Sequence, residues 1–65
     1  MTVDDVQKRV EAIRQAAFDD EAAHGMEDEL YAEVLKAIAN GEDKPEKLAA
    51  EALKTEKIEF YRWYS

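Results

Sequence analysis

Sixty-five residues with a formal net charge of −7 and no cysteine allow one domain, and they exclude a disulfide framework, a thiolate zinc site and a thiol nucleophile. The sign of the charge opposes direct binding to nucleic acid or to anionic lipid, both of which demand clustered Lys and Arg. No run approaches the roughly 18 apolar residues of a membrane span, and Met1-Thr2-Val3-Asp4-Asp5 lacks the basic-then-apolar order of a secretion signal, so the expectation is a single cytoplasmic domain over residues 1–65.

Thr2 is placed to cap a first helix over about Val3 to Ala17, with Asp4 and Asp5 in its first turn. Val3, Val6, Val10, Ile13 and Ala17 recur along it at the spacing of a narrow apolar seam. Phe18-Asp19 is too short a link for anything but a sharp reversal. The pattern favours an antiparallel hairpin over one long kinked helix, because Asp19, Asp20 and Glu21 have the character of a new helix start.

The second helix, within Asp19 to Asn40, organises the chain. No Lys or Arg lies between Arg14 and Lys36, whereas Asp19, Asp20, Glu21, Glu27, Asp28, Glu29 and Glu33 all do; these seven acids equal the whole net charge of −7, since the other nine acidic and nine basic residues cancel. At 100° per residue, Ala23, Met26, Leu30, Tyr31, Val34, Leu35, Ala37 and Ile38 fill about half its circumference. The helix is therefore expected to be central, with one neighbour on the Met26/Leu30/Ala37 edge and another on the Tyr31/Leu35 edge. Gly25 is its weak point, and Asn40-Gly41 its stop signal.

Asp43-x-x-Glu46 with Pro45 between is a capping-box signature for a third helix over about Lys44 to Lys54, with Leu48, Ala49, Ala52 and Leu53 on its apolar face. Phe18 and Tyr31 are assigned to the core. The other four aromatics, Phe60, Tyr61, Trp63 and Tyr64, crowd the end of the chain, where Thr55 to Ser65 suits either a short helix or an extended strap.

Two constellations bear on function. Asp20, His24, Glu27 and Tyr31 fall on one side of the second helix, and Glu21-x-x-His24 matches half of the carboxylate–histidine pattern of di-iron bundles. A metal-binding or catalytic role around His24 is the alternative this raises. The plainer expectation is that Asp20 or Asp28 bonds His24 while Glu27 meets Arg14 or Arg62. With one histidine, two glycines and Ser65 as the only serine, no phosphate loop or nucleophile–base pair is available, so neither an enzyme nor a cofactor is expected.

The second constellation is the acidic face of the helix together with the aromatic end. Each has a structural role open to it, as a solvated surface and as a lid on the core. Each also has a functional one, in which Glu27, Asp28, Glu29 and Glu33 dock a basic partner and Tyr61, Trp63 and Tyr64 form a contact hot spot.

The segments Asp19-Asp20-Glu21-Ala22-Ala23-His24-x-Met26-Glu27-Asp28, Val34-Leu35-x-Ala37-Ile38-Ala39-x-Gly41 and Ile58-Glu59-Phe60-x-Arg62-Trp63 resemble small uncharacterised helical proteins encoded by actinobacteria and their bacteriophages. The resemblance implies a setting, that of a phage-type cytoplasmic accessory protein, and no particular site residue. The sequence thus leads to an all-α bundle, a helical hairpin completed by a third helix and an aromatic C-terminal segment. Its expected role is non-enzymatic protein interaction, with a structural homo-oligomer as a further alternative.

Overall fold

A computed structural model describes residues 1–62 as three helices, α1 (Val3–Gln15), α2 (Asp20–Ala39) and α3 (Pro45–Ala52), then a 3₁₀ turn (Leu53–Lys57) and an irregular strap over residues 58–62. No strand occurs among the described residues. Each helix packs on the other two, which makes the chain a small all-α bundle.

α1 begins with a complete capping box. The Asp5 N–H donates to Thr2 Oγ1 at 3.1 Å and the Thr2 N–H returns a bond to Asp5 Oδ2 at 2.8 Å, so two of the helix's orphan donors are satisfied by one residue pair. The seam buries Val6, Val10 and Ile13. α1 stops at Gln15, two residues earlier than the apolar pattern suggests, because the Asp19 N–H reaches back to the Ala16 carbonyl at 3.0 Å and closes a turn. This turn makes the hairpin rather than a long kinked helix. Arg9 of α1 bridges to Glu33 of α2 across it.

At the start of α2 the Asp19 carboxylate accepts the Ala22 N–H at 3.2 Å, and the helix then runs unbroken through Gly25 to Ala39. Its buried line is Ala23, Glu27, Leu30 and Val34, the i, i+4, i+7, i+11 rows of one helix face. Coverage of the apolar arc is lopsided. Met26, Ala37 and Tyr31 are half-buried, whereas Leu35 is 66% exposed, contrary to the expected packing of the Tyr31/Leu35 edge. The cause is the brevity of α3, which has eight residues and is rich in alanine. It turns Leu48 and Ala52 inward but leaves Leu53 half exposed, although the sequence placed Leu53 on the buried face. Phe18, also assigned to the core, stands on the α1–α2 turn with 91% of its surface exposed, because the chain reverses before the ring can reach either helix.

The α2–α3 connection is set by its backbone. The Glu42 N–H bonds the Ala37 carbonyl at 3.1 Å and the Gly41 N–H bonds the Ile38 carbonyl at 3.0 Å, a Schellman closure with Gly41 in the left-handed region at φ 80°. The capping box expected from Asp43 and Glu46 does not form. Lys44 occupies the cap position instead, at φ 55° and without a side-chain bond. Pro45 explains this, since its ring disfavours right-handed helical backbone in the residue before it.

The two glycines give opposite expectations for the same substitution. A Cβ at Gly25 or at Gly41 would meet nothing within 4 Å, but only Gly41 has positive φ. Gly25→Ala should raise stability by about 1 kcal/mol in urea denaturation, and Gly41→Ala should lower it by about as much. Equal shifts of one sign would show that backbone conformation does not separate the two sites.

Candidate functional site

Glu27, a docking residue predicted from the sequence, is buried where the strap returns to α2. After the 3₁₀ turn the strap buries Ile58 and half-buries Phe60 in the core, which aims Arg62 at the buried line of α2. Its Nε donates to Glu27 Oε1 at 2.9 Å and Oε2 at 3.1 Å, and Nη2 reaches Oε2 at 3.1 Å. Nη2 also donates to the carbonyls of Thr55 at 2.6 Å and Ile58 at 2.9 Å, and Nη1 donates to that of Phe60 at 3.4 Å. The guanidinium also lies 3.8 Å above the centre of the Phe60 ring. One arginine thus neutralises a buried carboxylate and gathers the backbone of its own segment.

Thr55, fully buried, hydrogen-bonds the Tyr31 hydroxyl, and the Tyr61 N–H donates to Asp20 Oδ1 at 3.1 Å. No buried side-chain polar atom among the described residues lacks a partner. The Glu27 carboxyl feels burial, which alone would raise its pKa, but the Arg62 hydrogen bonds and then the Thr55 hydroxyl outweigh it and hold the group below the usual range. Burial pushes the Tyr31 hydroxyl up.

Asp20, His24, Glu27 and Tyr31 do share a side of α2, yet each meets a different partner. Asp20 takes Tyr61, His24 lies 3.6 Å from Asp28, Glu27 holds Arg62 and Tyr31 holds Thr55. No group of three or more potential ligands from His, Cys, Asp and Glu is assembled among the described residues. A cation at Glu27 would have to displace Arg62.

The candidate docking residues separate as well. Glu27 is turned inward and ion-paired, so its carboxylate does not belong to the surface on which the sequence placed it; α2 buries it because it falls on the same face as Ala23 and Leu30. Asp28, Glu29 and Glu33 are exposed, with Glu33 engaged by Arg9. Tyr61 is 70% exposed. Trp63 and Tyr64 lie outside the described residues.

A groove of about 260 Å³ that the sequence did not predict lies on the far flank of α2, walled by Tyr31, Leu35 and Ile38 on one side and Ala49, Ala52 and Leu53 on the other. Its signal was present in the alanine-rich face of α3, too thin to fill the space beside large residues on α2. No helix among the described residues is long and apolar enough to cross a membrane. No protein-family model, curated protein or solved structure matches the chain.

Removing one partner of the pair should cost more than removing both. Arg62→Met leaves Glu27 charged and buried and should lower stability by about 3–5 kcal/mol, whereas adding Glu27→Met should recover most of that loss. A double variant no more stable than Arg62→Met in urea denaturation would contradict this.

The pair also sets an acid limit. Because the folded-state pKa of Glu27 is lowered, its contribution is present above the unfolded value of about 4.5 and is lost as pH falls through the folded value. Tyr31 acts at the other end. Its raised folded pKa makes its contribution complete below about 10 and lost as pH rises through the folded value. Urea midpoints across pH should fall on both sides, with a shallower acid limb in Glu27→Gln and a shallower alkaline limb in Tyr31→Phe.

Proposed function

We propose that the chain is a non-enzymatic protein-binding module that presents α2 to a partner. The observation that supports this most is the groove beside Leu35, whose walls are apolar throughout while Leu35 and Leu53 stand exposed at its edges. Large aliphatic side chains left uncovered around a concavity are what an interface core requires.

The exposed acids Asp28 and Glu29 occupy the same helix as Leu35, and they favour a partner segment that sets an apolar anchor among Lys or Arg. Protein is proposed as the ligand, rather than nucleic acid or lipid. The phage-type accessory setting belongs to the same proposal and rests on the resemblance in α2, its C-terminal turn and the strap.

A second reading, the structural homo-oligomer, is favoured by one feature. The groove and the exposed Leu35 lie on one patch, and a two-fold dimer needs a patch that complements itself.

Leu35→Asp and Leu53→Asp tests the proposal, because both side chains are exposed and the fold should survive, as circular dichroism would confirm. The parent should retain a specific protein from a lysate of its source organism, more strongly at low salt, and the double variant should lose it. Retention unchanged by the double substitution would refute the groove as the contact. Dissociation of a parent dimer by the same pair in sedimentation would assign the groove to self-association.

A further inference from the structure

The hydrogen bond from the Tyr61 N–H to Asp20 at 3.1 Å brings the strap to the α1–α2 turn, and so places two exposed aromatic residues, Phe18 and Tyr61, at one end of the bundle. Neither ring is used by the core. Phe18 is 91% exposed and Tyr61 is 70% exposed, on segments held by the Asp19 cap, the Ala16–Asp19 turn and the Arg62 anchor.

The charges beside them are negative. Asp19, Asp20, Glu21 and Glu59 are exposed, and Glu21 and Glu59 enter no ion pair among the described residues. Arg14, the base nearest to Phe18 in sequence, is turned back to Glu11 at 3.1 Å, and Arg62, which follows Tyr61, is taken up by Glu27. A ring with a carboxylate beside it is a guanidinium site in this very molecule, since Arg62 lies 3.8 Å above Phe60 while bound to Glu27. The turn end offers the same kinds of group, aromatic rings and carboxylates, on an exposed surface.

We propose that Phe18 and Tyr61, with Glu21 and Glu59, form a docking surface for an arginine-bearing segment of the partner protein. The proposal rests on the chain being a protein-binding module, and it names the chemistry of the partner at a place distinct from the groove. Arginine is specified over lysine because a planar, weakly hydrated guanidinium stacks on an aromatic face and donates from its edge to a carboxylate. Charge complementarity sets the sign of the occupant, and the two unused rings set its planarity.

The test uses the full chain and a fluorescein-labelled helical peptide of alanine, leucine and spaced arginines, with a twin in which lysine replaces arginine. The arginine peptide should bind the parent in fluorescence anisotropy, weaken with salt and bind more tightly than its twin. Phe18→Ala with Tyr61→Ala should reduce its affinity about tenfold with no loss of melting temperature, while Leu35→Asp leaves it unchanged.

Absence of peptide binding, equal affinity for both peptides, or indifference to the aromatic substitutions would each overturn the proposal. Two results would reassign the surface to another occupant and so also overturn it. One is concentration-dependent self-association lost in Phe18→Ala, which points to a second copy; the other is a shift of Trp63 fluorescence in Phe18→Ala without peptide, which points to the chain's own last residues. Failure here with the Leu35→Asp, Leu53→Asp double variant still abolishing partner capture would leave the groove proposal standing, and the converse result would separate the two in the other direction.

Discussion

A carboxylate on the buried line of a helix must be paired, and in this protein that constraint decides the path of the strap. Glu27 sits between Ala23 and Leu30 on the face of α2 that packs inward, and an unpaired charge there would cost several kcal/mol. Arg62 supplies the counter-charge, so the strap has to return to α2. In returning it brings Ile58 and Phe60 into the core and lets the carbonyls of Thr55, Ile58 and Phe60 accept from the same guanidinium. The pair thus ties the strap to α2, and Tyr31 and Thr55 extend the same polar seam by one helical turn.

The same arrangement distributes what is left exposed. The strap spends its apolar residues on the Glu27 side of α2, and α3 is too short and too rich in alanine to fill the Leu35 side. A groove therefore remains between α2 and α3, while the α1–α2 turn carries Phe18 outward. Both proposed contact surfaces follow from one shortage. The chain has thirty hydrophobic residues, of which eleven are alanine, and a core built from the larger ones cannot cover every face of a 20-residue helix.

Much of the fold was legible in local chemistry. Thr2 and Asp19 as caps, Asn40-Gly41 as a stop and the Val6, Val10, Ile13 seam are short-range signals that the surroundings do not override. The failures have equally local causes. Asp43-x-x-Glu46 looked like a capping box, but Pro45 restricts Lys44 directly before it, and that steric rule prevailed. Leu53 was read onto the inner face by helical spacing, yet the chain tightens to a 3₁₀ turn there and the angular register changes. Leu35 and Phe18 were beyond the sequence, since hydrophobicity shows which residues gain from burial and not whether enough partner surface exists. At the candidate site the sequence named Arg62 as one of two possible partners for Glu27, and only the path of the strap decided between it and Arg14.

The most direct measurement is the nuclear magnetic resonance signal of the Arg62 Nε–H at neutral pH. Bonded to both Glu27 oxygens at 2.9 and 3.1 Å, it should resonate apart from the other arginines and exchange slowly with water, with both properties lost in Glu27→Gln. An Arg62 Nε–H that exchanges as fast as that of Arg14, and is indifferent to Glu27→Gln, would mean that the strap is not tied to α2 and that the account of this fold is wrong at its centre.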